Sequence, residues 1–198
     1  MLSKLSRLFH YWARGWLVLA LFAAFVVYVA VTLPVLQDAP GGNIEALDAQ
    51  FFYTPEKAFT TVASYGDAAG LWTRLYLTWD IVNPILYTLA FSLFISWLFQ
   101  RSFNPESKMQ KLNILPAGAG LFDLFENIGI VTLLVVYPTQ PVVVAWLCTV
   151  CTMIKVSFLG VSTLLILIGL VKAGMNRLKR QGRLTGGYLE VRKREAMS

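Results

Sequence analysis

Apolar residues gather along this chain into four long runs, about Gly15 to Leu36, Leu75 to Phe99, Leu112 to Val136 and Val142 to Val171, with polar stretches between them. At about 1.5 Å rise per residue, each run as a helix crosses a hydrocarbon layer about 30 Å thick, and the fourth has length to spare for tilt. Strands of a membrane barrel would alternate over about ten residues, which these runs do not. The pattern predicts an all-α polytopic membrane protein: one integral membrane domain over 1–198, built as a four-transmembrane-helix bundle.

The connection 37–74 carries signals of its own. Thr54 can cap a helix beginning at Pro55, Glu56 suits its first turn, and Gly66 offers a stop. Phe59, Val62 and Ala63 give that short helix an apolar face, so it is expected on the exterior membrane surface or across the mouth of the bundle. Phe51, Phe52 and Tyr53 read more readily as headgroup anchors than as a ligand lid. The turn VYPTQPV is short and makes the third and fourth spans close neighbours.

Composition agrees with the pattern. With 57% hydrophobic and 14% charged residues and a mean hydropathy of +0.60, too little polar surface remains to cover a soluble domain. The net charge of +6 changes the picture only through its placement. Lys4, Arg7 and Arg14 precede the first span; Arg101, Lys108 and Lys111 lie between the second and third; Lys172, Arg177, Lys179, Arg180, Arg183, Arg192, Lys193 and Arg194 follow the fourth. With four spans all three groups fall on one side, which the positive-inside rule makes cytoplasmic. The exterior connection carries Asp38, Glu45, Asp48, Glu56 and Asp67 against Lys57. Both termini are therefore expected inside, on the cytoplasmic face of the membrane. The first run lacks a small-x-small cleavage pattern before Gln37, so it reads as an uncleaved span rather than a signal peptide.

The basic tail, 172–198, reads as a partly ordered surface segment able to meet lipid or a partner. No basic and aromatic pattern specific to nucleic acid accompanies it. Cys148 and Cys151 have CxxC spacing but lie in an apolar helix without a second ligand pair, so packing is the preferred reading. No zincin, P-loop or Rossmann pattern occurs, the sole histidine is His10, and neither cofactor nor metal is expected. Trp72 and Trp79 fit an outer interface belt, and Trp12, Trp16 and Trp97 an inner one. Arg74 can snorkel to a lipid phosphate or pair with Asp67.

The candidate chemistry lies in charges that the apolar runs should not contain. Asp80, Asp123, Glu126 and Lys155 are all intramembrane, and burying them is costly enough to make them the first functional candidates. In the second span Tyr76, Asp80, Asn83, Pro84 and Tyr87 recur at helical intervals along one side. Pro84 deprives the Asp80 carbonyl of its amide donor. In the third span Asp123, Glu126 and Asn127 share a face, and Asn127 can donate to a carboxylate or to a facing backbone group. Counting rise places Glu126 about 21 Å from the cytoplasmic surface and Asp80 about 8 Å below the exterior one, so the two are expected to face each other. The same count puts Lys155 about 20 Å from the exterior end of its span, nearer Asp123 than Glu126. A salt bridge from Lys155 to Asp123 would lower the cost of burying both.

The segments YTPEKAF at Tyr53 to Phe59, YxxxDxxxPxxY at Tyr76, Asp80, Pro84 and Tyr87, and LPAGAGLFDLFEN at Leu115 to Asn127 carry a resemblance. Over most of its length the chain resembles a widespread, largely uncharacterised bacterial family of small four-span membrane proteins. That resemblance implies topology and grouping but no reaction. In architecture alone the chain is also loosely similar to the sterol-isomerase and sigma-2 receptor superfamily.

Three functions fit these residues. In the first, membrane lipid or another small amphiphile binds between the helices, with Asp80, Asn83, Asp123, Glu126, Asn127 and Lys155 around its polar group and Tyr76 and Tyr87 enclosing it. One protonated acid and one carboxylate, Asp80 and Glu126, would add acid-base catalysis. The second is a proton- or cation-coupled transporter, for which one four-span protomer is small and a homodimer is called for. The third is a membrane assembly factor whose polar network specifies packing.

Overall fold

The computed structural model describes residues 2–195, with the side chains of residues 2–179 and Gln181. Among the described residues seven α-helices follow one another: α1 Leu2–Trp12, α2 Gly15–Asp38, α3 Pro55–Ser64, α4 Ala69–Leu77, α5 Trp79–Ser102, α6 Leu115–Val136 and α7 Val142–Glu195. Among the described residues, four helical segments are long and apolar enough to cross a membrane: Gly15–Asp38, Gly66–Ser102, Lys108–Val136 and Val142–Lys179. The protein is an all-α four-span bundle.

Local chemistry sets the ends of these helices. α2 stops where Ala39, extended because Pro40 follows it, gives way to Gly41 at φ +81°, a left-handed turn suited to glycine. Thr54 accepts a hydrogen bond from the Lys57 amide at 3.4 Å and Pro55 opens α3, as the sequence predicts. The second apolar run is not one uninterrupted helix. At Thr78 the backbone leaves the helical region, and the Thr78 hydroxyl donates to the Arg74 carbonyl at 2.7 Å, competing with the backbone ladder. A 3₁₀ stretch, Lys108–Ile114, precedes α6, and Pro116 lies in the first turn of α6. α7 runs past the expected end of the span at Val171 to Glu195, a length of about 80 Å at the usual helical rise. The tail side chains at Arg180, Arg183, Arg192, Lys193 and Arg194 lie outside the described residues.

α6 and α7 form the most extensive helix pair, α5 packs against both, and α2 leans on α5. The α2 contact is aromatic: Phe22 and Phe25 meet Phe91 and Phe94 with ring centroids 5.6 to 6.4 Å apart. Connection 39–68 folds over one end of the bundle, here the cap end. Leu47, Tyr53, Val62, Tyr65, Trp72 and Tyr76 join Ile130, Leu133, Ala145 and Cys148 in one buried apolar cluster. Burial of each large side chain there contributes about 1.5–3 kcal/mol, which holds the cap on the spans.

This cap changes two expectations. Phe51 and Phe52 are exposed, as headgroup anchors would be, but Tyr53 is only 2% exposed. Trp72 is buried too, its indole donating to the Pro40 carbonyl at 2.8 Å, whereas Trp79, Trp12 and Trp16 remain exposed. Arg74 is exposed and, among the described residues, makes no ion pair with Asp67 within 4.0 Å.

At the opposite, tail end, α1 was not foreseen from the sequence. Its Ser6 and Phe9 are buried while Leu2, Leu8, Tyr11 and Trp12 are exposed, an amphipathic arrangement suited to a membrane interface. Fully buried Asn113 fastens it, donating to the Ser6 carbonyl at 3.0 Å and to the Ser96 hydroxyl at 2.8 Å. His10 Nε2 meets the Gln110 carbonyl at 2.9 Å, which accounts for the sole histidine as part of this fastening.

Candidate functional site: a charged layer beneath the cap

α6 and α7 bring the intramembrane charges together because helical periodicity aligns them. Asp123 and Glu126, three residues apart, face Thr152 and Lys155, also three apart. The Lys155 ammonium lies 2.5 Å from Glu126 Oε2 and 3.3 Å from Asp123 Oδ1, and donates to the Asp48 carbonyl at 3.3 Å. The ammonium donates hydrogen bonds to Asp123 Oδ1 and the Asp48 carbonyl, while Glu126 Oε2 meets it as an ion pair. Glu126, with no exposed surface, also accepts from the Thr152 hydroxyl. The Tyr87 hydroxyl donates to Asp123 Oδ2 at 2.9 Å. Lys155 does reach Asp123, but it sits closer to Glu126, the reverse of the order expected from rise alone. Rise gives depth only; the rotation of α7 about its axis, set by its packing on α6, decides which carboxylate is nearer.

The carbonyl freed by Pro84 also finds a partner. Asn127 Nδ2 reaches the Asp80 carbonyl at 3.4 Å, a long hydrogen bond that joins α6 to α5 at the proline. The alternative of a backbone acceptor for Asn127 is thus the one adopted.

The cap supplies a further acid. Asp48, in the short turn Leu47–Ala49, accepts from the Tyr76 hydroxyl at 2.8 Å, so Tyr76 spends its hydroxyl on the cap rather than on Asp80. Burial first, and then the charge of Asp48, push the nearby Tyr65 phenol up to about 12. Thr149 on α7 donates to the Tyr53 carbonyl at 2.8 Å and pins the following stretch of the cap.

Two cavities meet at this layer. One, of about 210 Å³, lies between the cap, α2 and the α4–α5 break, and is lined by Tyr28, Thr32, Trp72 and Tyr76 as well as Asp48 and Asp80. The other, of about 440 Å³, is bounded by α2, α5, α6 and α7, and includes Asn83, Tyr87, Asp123 and Lys155 together with the same two acids. Phe25, Val29, Val156 and Leu159 form its apolar side, where α2 and α7 lack the extensive packing that each makes with α5. Neither the Asp48 nor the Asp80 carboxylate makes an ion pair within 4.0 Å among the described residues, Lys155 reaching Asp48 only at its backbone carbonyl. Thr32 is buried, yet its hydroxyl has no hydrogen-bond partner.

Of the residues singled out from the sequence, Tyr76 and Asp80 line the smaller cavity, and Asp80, Asn83, Tyr87, Asp123 and Lys155 the larger. Glu126 and Asn127 line neither and stand behind as supports, so Glu126 does not share a cavity with Asp80. Asp48, Tyr28, Thr32 and Thr152 were not anticipated. Asp48 had no periodic signal to mark it, and Thr152 showed itself only as the residue three before Lys155 on an otherwise apolar helix. Among the described residues, no three His, Cys, Asp or Glu side chains are grouped to hold a metal ion. Compared with protein-family models, curated proteins and solved structures, the chain matches none.

Proposed function

We propose that the protein binds a small lipid-like molecule within the membrane, its polar head donating hydrogen bonds to Asp48 and Asp80 and its apolar part lying between α2 and α7. The observation that carries this reading is the mismatch of charge at the two cavities. Lys155 is already taken by Asp123 and Glu126, whereas the two carboxylates common to both cavities have no cation beside them. A head group bearing an amine, or several hydroxyls, supplies what those acids lack. Asn83 and Thr32 offer further polar contacts, and Tyr28, Trp79 and Phe25 supply aromatic walls. In this reading the cap faces the exterior of an inner membrane and both termini are cytoplasmic.

Binding is favoured over acid-base turnover by the Asp80 and Glu126 pair, because Glu126 is fully buried and engaged by Lys155 and Thr152. It is favoured over transport because Ile95, Leu98 and Phe99 pack with Leu165 and Ile166 into an apolar layer toward the tail end. A conduit would have to cross that layer.

Native mass spectrometry after mild extraction, with lipidomic identification of retained molecules, tests the proposal. Wild type should retain a defined amphiphile, and Asp80→Asn and Asp48→Asn should each lower its occupancy about tenfold or more, as loss of a charge-assisted contact worth about 1.4 kcal/mol requires. No specific species, or equal retention in folded variants, would overturn it.

A further inference from the structure

A separate cleft opens at the tail end, between α5 and α7, with a volume of about 650 Å³. Two arginines from different helices line it, Arg101 and Arg177, and among the described residues no carboxylate does. Neither arginine has an acidic partner within 4.0 Å among the described residues. The two helices are tied together beside the cleft, and Arg101 is fixed in it. Asn176 Nδ2 donates to the Arg101 carbonyl at 3.3 Å, tying α7 to α5 at this level, and two turns earlier on α7 the Gly169 carbonyl accepts from Ser102 at 3.1 Å. The Arg101 guanidinium stacks 4.0 Å from the Trp97 ring centre and donates through Nη1 to the Trp97 carbonyl at 2.9 Å. That uses one of its five donors and fixes the plane of the rest.

Two guanidinium groups lining one cleft place like charges in the same space, and a phosphate between them would offset that cost. Their planar donor sets match phosphate oxygens, which accept paired hydrogen bonds from arginine. Position distinguishes the source of the phosphate. Arg101 is next to last in α5, at the end of a span, and the cleft continues along Leu98, Leu170 and Ala173. Leu170 is 45% exposed and Val171 beside it 64%, an apolar track suited to an acyl chain leaving the headgroup. We propose that this cleft holds the phosphate of an anionic phospholipid between Arg101 and Arg177. The site is independent of the cap-end cavities and of their ligand.

The test uses the full chain in mild detergent, with phosphatidylglycerol and phosphatidylcholine offered in equal amounts and bound lipid read by native mass spectrometry. Wild type should retain phosphatidylglycerol preferentially. Arg101→Gln and Arg177→Gln should each lower that retention about fivefold, and lysine at either position should restore part of it. Gly174 lines the cleft, and a Cβ there would meet nothing within 4 Å, so Gly174→Leu adds a side chain at the cleft wall while keeping both arginines. It should lose the lipid as well. Unchanged selectivity in the folded Arg101→Gln/Arg177→Gln protein, or in Gly174→Leu, overturns the site. Displacement of the lipid by millimolar inorganic phosphate would overturn the lipid assignment and identify a soluble phosphate instead.

Discussion

The polar residues of this protein are matched one against another, and Pro84 shows the logic most simply. A proline in a span removes the donor for the carbonyl four residues earlier, and in a membrane no bulk water replaces it. Asn127 stands opposite and donates to that Asp80 carbonyl. Asn127→Ala should therefore cost about 0.5–2 kcal/mol of stability. In a Pro84→Ala background, where the residue 84 amide can serve the carbonyl itself, the same substitution should cost clearly less. Unfolding equilibria of the four proteins in mixed micelles would decide it; an equal cost in both backgrounds would remove the link. This contact was half legible beforehand, because Pro84 marks an orphan carbonyl and Asn127 a donor on a facing helix. Asp48 was not legible, since its place beside Asp80 depends on the folded path of an irregular connection.

Among the elements, α5 and α7 are in tight contact where Gly169 lies against Leu98. A Cβ on Gly169 would stand 2.9 Å from the Leu98 Cβ, an atom that no side-chain rotation can move. Gly169→Ala should push the helices apart at a cost of about 1–3 kcal/mol, whereas Gly160→Ala, with open space around it, should be near neutral. Thermal unfolding of the two variants in the same detergent makes the comparison, and equal stabilities would contradict the packing. α2 differs in kind. Within its hydropathy window only 11% is buried, against 44% for the two middle spans, so it is held chiefly by its aromatic face on α5. That makes α2 the wall of both cavities best able to yield to a ligand. Its length and apolar character were plain from the sequence, but its light attachment was not, because an all-apolar helix carries no stripe to say which side packs.

For the whole molecule, the placement of basic groups predicts the orientation. Glu45 in the cap and Glu106 between α5 and α6 are both exposed. With Cys148 and Cys151 replaced by alanine, Glu45→Cys should react with an impermeant maleimide from outside the cell and Glu106→Cys only after the membrane is opened. The opposite labelling would invert the topology. The sequence by itself determined the membrane class, the number of spans, the α3 cap and the expense of four charges within the spans, because run length, capping chemistry and desolvation are properties of short stretches of chain. Only the tertiary structure decided that Lys155 sits closer to Glu126 than to Asp123, that Tyr76 turns to Asp48, and that Asp48 and Asp80 share two cavities. Those outcomes depend on how each helix is rotated about its axis and how an aperiodic connection folds back over the bundle, and both are settled by packing between segments far apart in the chain.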